Sequence, residues 1–145
     1  MALFGKKQRR ITRLLIVEDE PLVAFDNEHF LTEEDFVIVG TVDRASDAIA
    51  LLSNGKPIDL VLVDISLAEG NGIEVARAAR ERGVHAMFVT GDCPAGGEDV
   101  ALGCLSKPYP QRTLLTAIRA IELALDGKPP KRLPAGFRLF APPTA

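Results

Sequence analysis

The chain has 145 residues, of which 47% are hydrophobic and 26% are charged, a composition that fits one folded domain and excludes a disordered protein. No apolar run approaches the roughly 20 residues that span a bilayer, and the N-terminus lacks the apolar core of a secretory signal. We therefore expect a cytoplasmic protein with no membrane partner. The net charge is −3, yet residues 1–13 carry five positive charges and residues 126–145 a net three, which leaves −11 for residues 14–125. Such an acidic domain repels nucleic acid and attracts cations or basic partners.

Apolar strands alternate with helices along the chain. Leu14–Val17 is continuously apolar, which is typical of strands covered on both faces of a parallel sheet. Pro21 is well placed in the first turn of a helix, and Asn54-Gly55 closes the second helix. The predicted strands are residues 14–17, 37–42, 58–63, 86–89 and 103–106, and the predicted helices are residues 22–31, 45–53, 72–81 and 111–125. This alternation predicts a doubly wound α/β sheet.

The segment between the fourth and fifth strands is a poor helix former. Residues 91–97 contain three glycines and one proline. Inside a helix, these residue types cost roughly 1 and 3 kcal/mol, respectively, relative to alanine. Only about Glu98 to Leu102 remains for a fourth helix, so we predict that this helix is short or mobile.

The two ends of the chain differ in composition from its middle. We predict a basic N-terminal tail at residues 1–12, a folded domain at 13–126 and a proline-rich C-terminal tail at 127–145. Two interpretations of the C-terminal tail stay open. It is a disordered segment with scattered aromatic residues, or Phe137–Phe140 docks on this domain or on a partner.

Cys93 and Cys104 are the only cysteines in the chain, and two cysteines do not make a disulfide framework. We expect both to be reduced thiols. Redox sensing is an alternative that requires cationic surroundings to lower the thiol pKa. The sequence has no cysteine and histidine cluster that would indicate zinc.

Polar residues follow four of the five predicted strands. In a doubly wound sheet, ligands bind at the carboxyl ends of the strands, and here those ends carry Glu18, Asp19, Asp64, Thr90 and Lys107. Clustered carboxylates need a cation, and a few hard oxygen ligands suit Mg²⁺. A carboxylate beside that ion can also act as a nucleophile towards phosphorus. Asp64 is the best nucleophile because it follows the central strand, and Glu18 and Asp19 would then be metal ligands.

These residues belong to longer motifs. The chain resembles the receiver domain of two-component response regulators over about residues 12–126. The motifs that carry the resemblance are Leu-Ile-Val-Glu-Asp-Glu-Pro at 15–21, Leu-Val-Asp-Ile-Ser-Leu-Ala-Glu-Gly-Asn-Gly at 62–72, Phe-Val-Thr-Gly at 88–91 and Ser-Lys-Pro-Tyr at 106–109. The resemblance implies a flavodoxin-like, five-stranded parallel sheet with strand order 2-1-3-4-5.

The resemblance also implies a site and a reaction. Asp64 would accept a phosphoryl group from a sensor histidine kinase in a Mg²⁺-dependent reaction. The metal ligands that the resemblance implies are Glu18, Asp19, Asp64 and the backbone carbonyl of Ser66. Thr90 and Lys107 would bind the phosphoryl oxygens, and Lys107-Pro108 would be a cis peptide. The protein would catalyse its own phosphorylation and dephosphorylation and would not otherwise be an enzyme.

Two positions depart from the usual receiver pattern. Receivers usually have Tyr or Phe three residues before the lysine, and here that residue is Cys104, so the usual threonine–aromatic switch lacks its aromatic member. The second departure is Gly91, which follows Thr90 where receivers commonly have Ala. Phe88, Thr90 and Gly91 are similar to a Phe-Ala-Thr-Gly variant group of single-domain regulators in alphaproteobacteria, which is often paired with kinases of the HWE type. We hypothesise that phosphorylation orders the loop at 91–97 instead of moving an aromatic ring.

Three functions compete for this pattern. We favour a stand-alone response regulator, a monomer or weak dimer, which signals by contact with an unknown downstream protein or acts as a phosphate sink. A phosphorylation-independent pseudo-receiver that serves as a binding module is the alternative, but such proteins lose site residues that this chain keeps. A phosphotransfer hydrolase with an aspartyl nucleophile usually has an acidic residue two positions further on, and here that residue is Ser66.

Overall fold

The computed structural model describes residues 9–140, and within that range six strands form one sheet. The elements are β1 (Arg13–Val17), α1 (Pro21–Glu33), β2 (Val37–Val42), α2 (Ala45–Ser53), β3 (Leu60–Val63), α3 (Gly72–Glu81), β4 (His85–Thr90), β5 (Gly103–Ser106), α4 (Gln111–Leu125) and β6 (Phe137–Leu139). In the described residues, no helix is both long and apolar enough to cross a bilayer.

The strands lie in the order β2-β1-β3-β4-β5-β6. The first five strands are parallel to their neighbours, and β6 pairs antiparallel with β5. The predicted flavodoxin-like α/β sheet with order 2-1-3-4-5 is therefore confirmed. The sixth strand is an addition that the sequence did not predict.

The continuous apolar runs are explained by cores on both faces of the sheet. Leu14 and Ile16 of β1 belong to a cluster that includes side chains of α1 and α4. Leu15 and Val17 belong to a second cluster, which includes side chains of α2 and α3. Because successive side chains of a strand point to opposite faces, a central strand between two cores has no position for a polar residue. The first polar residues come where the strands end.

The segment between β4 and β5 contains only one turn of 3-10 helix, Gly97–Asp99, in place of a longer fourth helix. The prediction of a short fourth helix is confirmed. Gly96, at φ +80°, precedes this turn in the left-handed conformation that glycine adopts without strain. A Cβ atom on Gly97 would lie 3.1 Å from the ring of Phe88, so the turn packs closely on β4.

Both predicted tails contribute to the fold where the structure describes them. Ile11 is 1% exposed and belongs to the core, and the guanidinium of Arg10 forms an ion pair with Asp126 at 2.9 Å. The prediction of a tail at 1–12 is therefore wrong for residues 9–12, while residues 1–8 lie outside the described range. At the other end, Phe137 and Phe140 pack into the two cores on opposite faces of the sheet. The folded domain thus extends beyond residue 126, because 137–140 docks on this domain.

Cys93 and Cys104 form a disulfide, so the expectation of two reduced thiols is wrong. The two residues are 11 positions apart in sequence, and their Cα atoms are 6.1 Å apart, within the range that a disulfide spans. Cys93 lies in the loop that follows β4, and Cys104 lies on β5, which pairs with β4. The pairing of these two strands therefore brings the cysteines together. Spacing in the sequence carries no sign of this proximity.

Candidate functional site

Four carboxylates converge at the carboxyl ends of β1 and β3. One oxygen from each lies within 4.8 Å of the others, and the four residues are Glu18, Asp19, Glu20 and Asp64. Glu18 and Asp64 are each 5% exposed, whereas Asp19 is half-buried and Glu20 is exposed. The backbone places the two buried members beside each other, since the Asp64 amide donates to the carbonyl of Val17 at 2.9 Å.

Lys107 lies against this acidic cluster. Its ammonium donates to Oδ2 of Asp64 at 2.7 Å, to Oε2 of Glu18 at 3.0 Å and to Oε1 of Glu20 at 3.3 Å. Burial lowers the pKa of Lys107, but the hydrogen bonds to Asp64 and Glu18 have the larger combined effect, so its pKa stands above the ordinary value. The side chain is therefore a fixed positive charge at neutral pH.

The surroundings of Glu18 disfavour the charged form of its carboxylate. Burial raises the pKa of Glu18 to about 7, although hydrogen bonds from Lys107 and from the Glu20 amide act in the opposite direction. The cluster holds four carboxylates, and the Lys107 ammonium pairs with three of them, Glu18, Glu20 and Asp64. A further positive charge placed among the carboxylates would favour their ionised forms.

The loop after β3 holds Asp64 through its backbone. The Ser66 amide lies 3.3 Å from Oδ1 of Asp64 and donates to it. The Gly72 amide donates to the carbonyl of Ile65 at 2.9 Å, and a Cβ atom on Gly72 would lie only 2.1 Å from the carbonyl oxygen of Asp64. Only glycine allows α3 to begin this close to the loop. Asn71 caps that helix in a reciprocal capping box with Glu74.

Thr90 and Lys107 are brought together by the pairing of β4 with β5. Thr90 ends β4, is 5% exposed, and its carbonyl accepts a hydrogen bond from the Lys107 amide at 2.8 Å. The Lys107-Pro108 peptide is cis, as the resemblance implied. The next residue, Tyr109, accepts a hydrogen bond from the buried amide of Asn27 on α1 at 2.8 Å.

The structure places every predicted site residue at one edge of the sheet. Ser66 lies two positions beyond Asp64 in the same loop, and Asp19 lies in the acidic cluster. Sequence reasoning missed Glu20, which stands in the N-cap position of α1, and Asn27, a buried polar residue within that helix. The adjacency of Glu20 to Glu18 and Asp19 was the available signal for the first, and a polar residue at a core-facing position of α1 was the signal for the second.

The donor set fits a small, hard divalent cation. All four candidate ligands in the cluster are carboxylates, and Mg²⁺ prefers oxygen ligands of this kind, usually completed by water. Among the described residues, the carboxylate oxygens of these four side chains lie close enough to one another to bind a single ion. Glu18, Asp19 and Asp64 were the side chains predicted for that role.

Comparisons with known proteins give the same family. Residues 14–119 match the response regulator receiver domain. The chain is 32% identical over 126 residues to the TorCAD operon transcriptional regulatory protein TorR of Escherichia coli O157:H7, an alignment that covers 80% of this chain and 54% of TorR. It is 32% identical over 120 residues to the transcriptional regulatory protein PdtaR of Mycobacterium tuberculosis, covering 79% of this chain and 57% of that protein. The chain thus spans about half the length of these curated relatives.

A solved receiver structure is similar to this chain in both sequence and fold. The response regulator receiver protein from Sinorhizobium medicae superposes with a TM-score of 0.68 at 26% identity, over 79% of this chain and 97% of that one. The acidic cluster, the threonine and the lysine lie at the strand ends where the receiver motifs place them. The chain therefore belongs to the response regulator receiver domain family.

Proposed function

We propose that Asp64 accepts a phosphoryl group from a sensor histidine kinase in a Mg²⁺-dependent reaction. The observation that carries this proposal is the environment of the Asp64 carboxylate. It is nearly buried, one oxygen accepts from the Lys107 ammonium at 2.7 Å, and the other accepts from the Ser66 amide at 3.3 Å. A carboxylate held in this way, beside a site for a divalent cation, is suited to attack phosphorus.

The chemistry assigns a role to each residue. An oxygen of Asp64 attacks phosphorus, the N–P bond of the phosphohistidine breaks, and an acyl phosphate forms. Glu18, Asp19, Asp64 and the backbone carbonyl of Ser66 would hold Mg²⁺, which when bound neutralises charge on the transferring oxygens. Lys107 supplies a positive charge from the β5 side, and the hydroxyl of Thr90 binds a phosphoryl oxygen.

The protein is proposed as a phosphoacceptor that catalyses its own phosphorylation and dephosphorylation. As a single-domain regulator, it signals by contact with a downstream protein or drains phosphoryl groups from its kinase. Phe88, Thr90 and Gly91 support a kinase of the HWE type as the donor. A phosphorylation-independent binding module is the competing function, and the intact set of site residues disfavours it.

Mass spectrometry after incubation with acetyl phosphate tests the proposal. We expect the wild-type protein with Mg²⁺ to gain one phosphoryl group on Asp64, and the same protein with a chelator to gain none. Asp64→Asn should not be labelled. Asp59→Asn is the matched control, because Asp59 precedes the other end of β3, and it should be labelled normally. A wild-type protein that folds but takes no label would support the binding module instead.

A further inference from the structure

The Cys93–Cys104 disulfide connects the two backbone segments that carry the phosphoryl-binding side chains. Cys93 lies three residues after Thr90, and Cys104 lies three residues before Lys107. Cys104 is on β5, opposite Phe88 of β4. The bond therefore ties the loop that follows Thr90 to the strand that leads to Lys107.

Apart from the close packing of Gly97 on Phe88, the loop after Thr90 has few other restraints. Its single 3-10 turn is closed by backbone hydrogen bonds of 3.0 to 3.3 Å, and the guanidinium of Arg80 contacts the carbonyl of Asp99. Most side chains of residues 91–99 are exposed. A segment with little burial and few hydrogen bonds opens at low cost in free energy, so the covalent bond is a major restraint on it.

The two cysteines differ in exposure. Cys104 is 0% exposed, whereas Cys93 is half-buried in the loop. The hydroxyl of Ser106 lies 3.6 Å from the sulfur of Cys93. Their burial therefore favours attack of an external thiolate on Cys93 over attack on Cys104, and the sulfur of Cys104 would be the leaving group. Access of this kind controls the rate of thiol–disulfide exchange.

We propose that Cys93–Cys104 is a reversible thiol–disulfide site that restrains the loop after Thr90 when it is oxidised and releases the loop when it is reduced. Its consequence for phosphorylation rests on the proposed function: the restrained loop slows the approach of Thr90 to a phosphoryl group on Asp64. The reductant is a dithiol, either a small molecule or a protein with a reactive thiol pair.

The reaction balances as a two-electron exchange. One thiolate of the dithiol attacks Cys93 and forms a mixed disulfide, and Cys104 leaves as a thiolate that takes up a proton. The second thiol of the reductant then attacks the mixed disulfide, loses its proton and releases Cys93, which is protonated to the thiol. The protein has gained two thiols, and the dithiol has become a disulfide.

The first test examines the redox site without phosphorylation. We expect dithiothreitol to reduce the folded protein under native conditions and oxidised glutathione to restore the bond, as counted by thiol alkylation and mass spectrometry. Amide hydrogen exchange should then be faster at residues 91–102 in the reduced form and unchanged in α2 and α3. A bond that is reduced only on unfolding, or equal exchange in the two forms, would overturn the proposal.

The second test measures phosphorylation by acetyl phosphate with Mg²⁺ in both redox forms. We expect the oxidised form to be labelled about fivefold more slowly, as for a gating loop. The double variant Cys93→Ser/Cys104→Ala is the control, and it should match the reduced rate with or without oxidant, since the chain has no other cysteine. Equal or faster labelling of the oxidised form would refute the proposal that the disulfide slows phosphorylation. If neither form were labelled, the proposed function would fail, while hydrogen exchange would still decide the redox site.

Discussion

The ammonium of Lys107 lies 2.7 Å from Oδ2 of Asp64 although the two residues are 43 positions apart in sequence. The amide of the same lysine donates to the carbonyl of Thr90 at 2.8 Å. One residue on the end of β5 thus contacts the strand ends of both β3 and β4. A change of charge at Asp64 therefore acts directly on Lys107, which contacts the ends of both strands.

Divalent cation binding should raise the free energy of unfolding. Lys107 pairs with only three of the four clustered carboxylates, and a cation that binds only the folded chain relieves the repulsion among the four. At a Mg²⁺ concentration of 100 times the Kd, the gain is about 2.7 kcal/mol. Thermal melts with Mg²⁺ and with a chelator measure it. Coincident melts would contradict the metal site.

Replacing Lys107 by methionine should tighten Mg²⁺ binding in the unphosphorylated protein. The ammonium competes with the cation for Asp64 and Glu18, and its removal should lower the Kd at least about fivefold, the effect of one unit charge at about 4 Å in bulk water. Titration of Mg²⁺ against the melting temperature gives the Kd. Lys128→Met, an exposed lysine beyond the end of α4, is the control and should leave it unchanged. Weaker binding by Lys107→Met would argue that the lysine helps to assemble the site.

Gly72→Ala should destabilise the protein and disturb Asp64. The added Cβ atom would stand 2.1 Å from the carbonyl oxygen of Asp64, which is backbone and does not yield easily. We expect a loss of about 1–3 kcal/mol in the free energy of unfolding, measured by urea denaturation, and slower labelling by acetyl phosphate. In Gly91→Ala, the new Cβ atom would meet no heavy atom within 4 Å. That variant should keep its stability, and equal losses in both would contradict the steric argument.

Gly103→Ala should release β6 from β5. Its Cβ atom would lie 2.8 Å from the carbonyl oxygen of Arg138 and 2.8 Å from the ring of Phe137. We expect the amides of Ser106 and Phe140 to lose protection from hydrogen exchange, since they donate to Gly136 and Leu102 across this pairing.

The control for the β6 experiment is another glycine within a parallel strand. A Cβ atom on Gly40 would lie 2.9 Å from a terminal methyl of Leu51, a flexible group that can move away. Gly40→Ala should therefore leave the exchange of Ser106 and Phe140 unchanged. Full protection of both amides in Gly103→Ala would show that the pairing of β6 with β5 does not require a residue without a side chain at position 103.

Asp59 should stabilise the fold in a pH-dependent way. Burial raises the pKa of Asp59, but hydrogen bonds from the amides of Thr12 and Arg13 and the hydroxyl of Thr12 outweigh it and hold the pKa below the ordinary 3.8. The ionised form is thus favoured in the folded state. Its contribution is complete above the ordinary pKa and is lost as the pH falls through the lower folded-state value.

Asp59→Asn should accordingly cost about 1 kcal/mol at pH 7. The difference from wild type should begin to shrink as the pH falls below about 4 and should vanish once Asp59 is protonated in the folded protein. Urea denaturation at pH 7 and pH 3 measures it, and Asp92→Asn, at an exposed loop position, serves as the control. A difference that does not change with pH would mean that the charge of Asp59 contributes nothing.

The parallel sheet could be predicted because its strands are buried on both faces. Five elements, β2, α2, α3, β5 and α4, have the bounds that the sequence predicted. Continuous apolar runs and glycine or proline boundaries mark such elements locally. By contrast, β6 has only three residues and lies in a proline-rich segment. It is held in place by backbone pairing with β5 and by the buried rings of Phe137 and Phe140. These interactions produce no periodic pattern in the sequence.

The candidate site was predictable for a related reason. Glu18, Asp64 and Lys107 each follow a strand directly and Thr90 ends one, so parallel strands bring them to one edge. The disulfide was missed because the distance between Cys93 and Cys104 depends on the path of a loop that has almost no regular structure. Glu20 was missed because it is exposed; its carboxylate approaches Lys107 at 3.3 Å, and its amide donates to Oε2 of Glu18 at 3.2 Å.

The sixth strand also affects how this domain can associate. A partner that added a strand to β5 would first have to displace β6, which belongs to the same polypeptide and so has a high effective concentration at that position. The strand that now lies at this border of the sheet offers only three residues for pairing, with the exposed Arg138 in its centre. Short, charged edge strands are poor templates for intermolecular pairing. The sixth strand therefore protects this border of the sheet from strand addition by another chain.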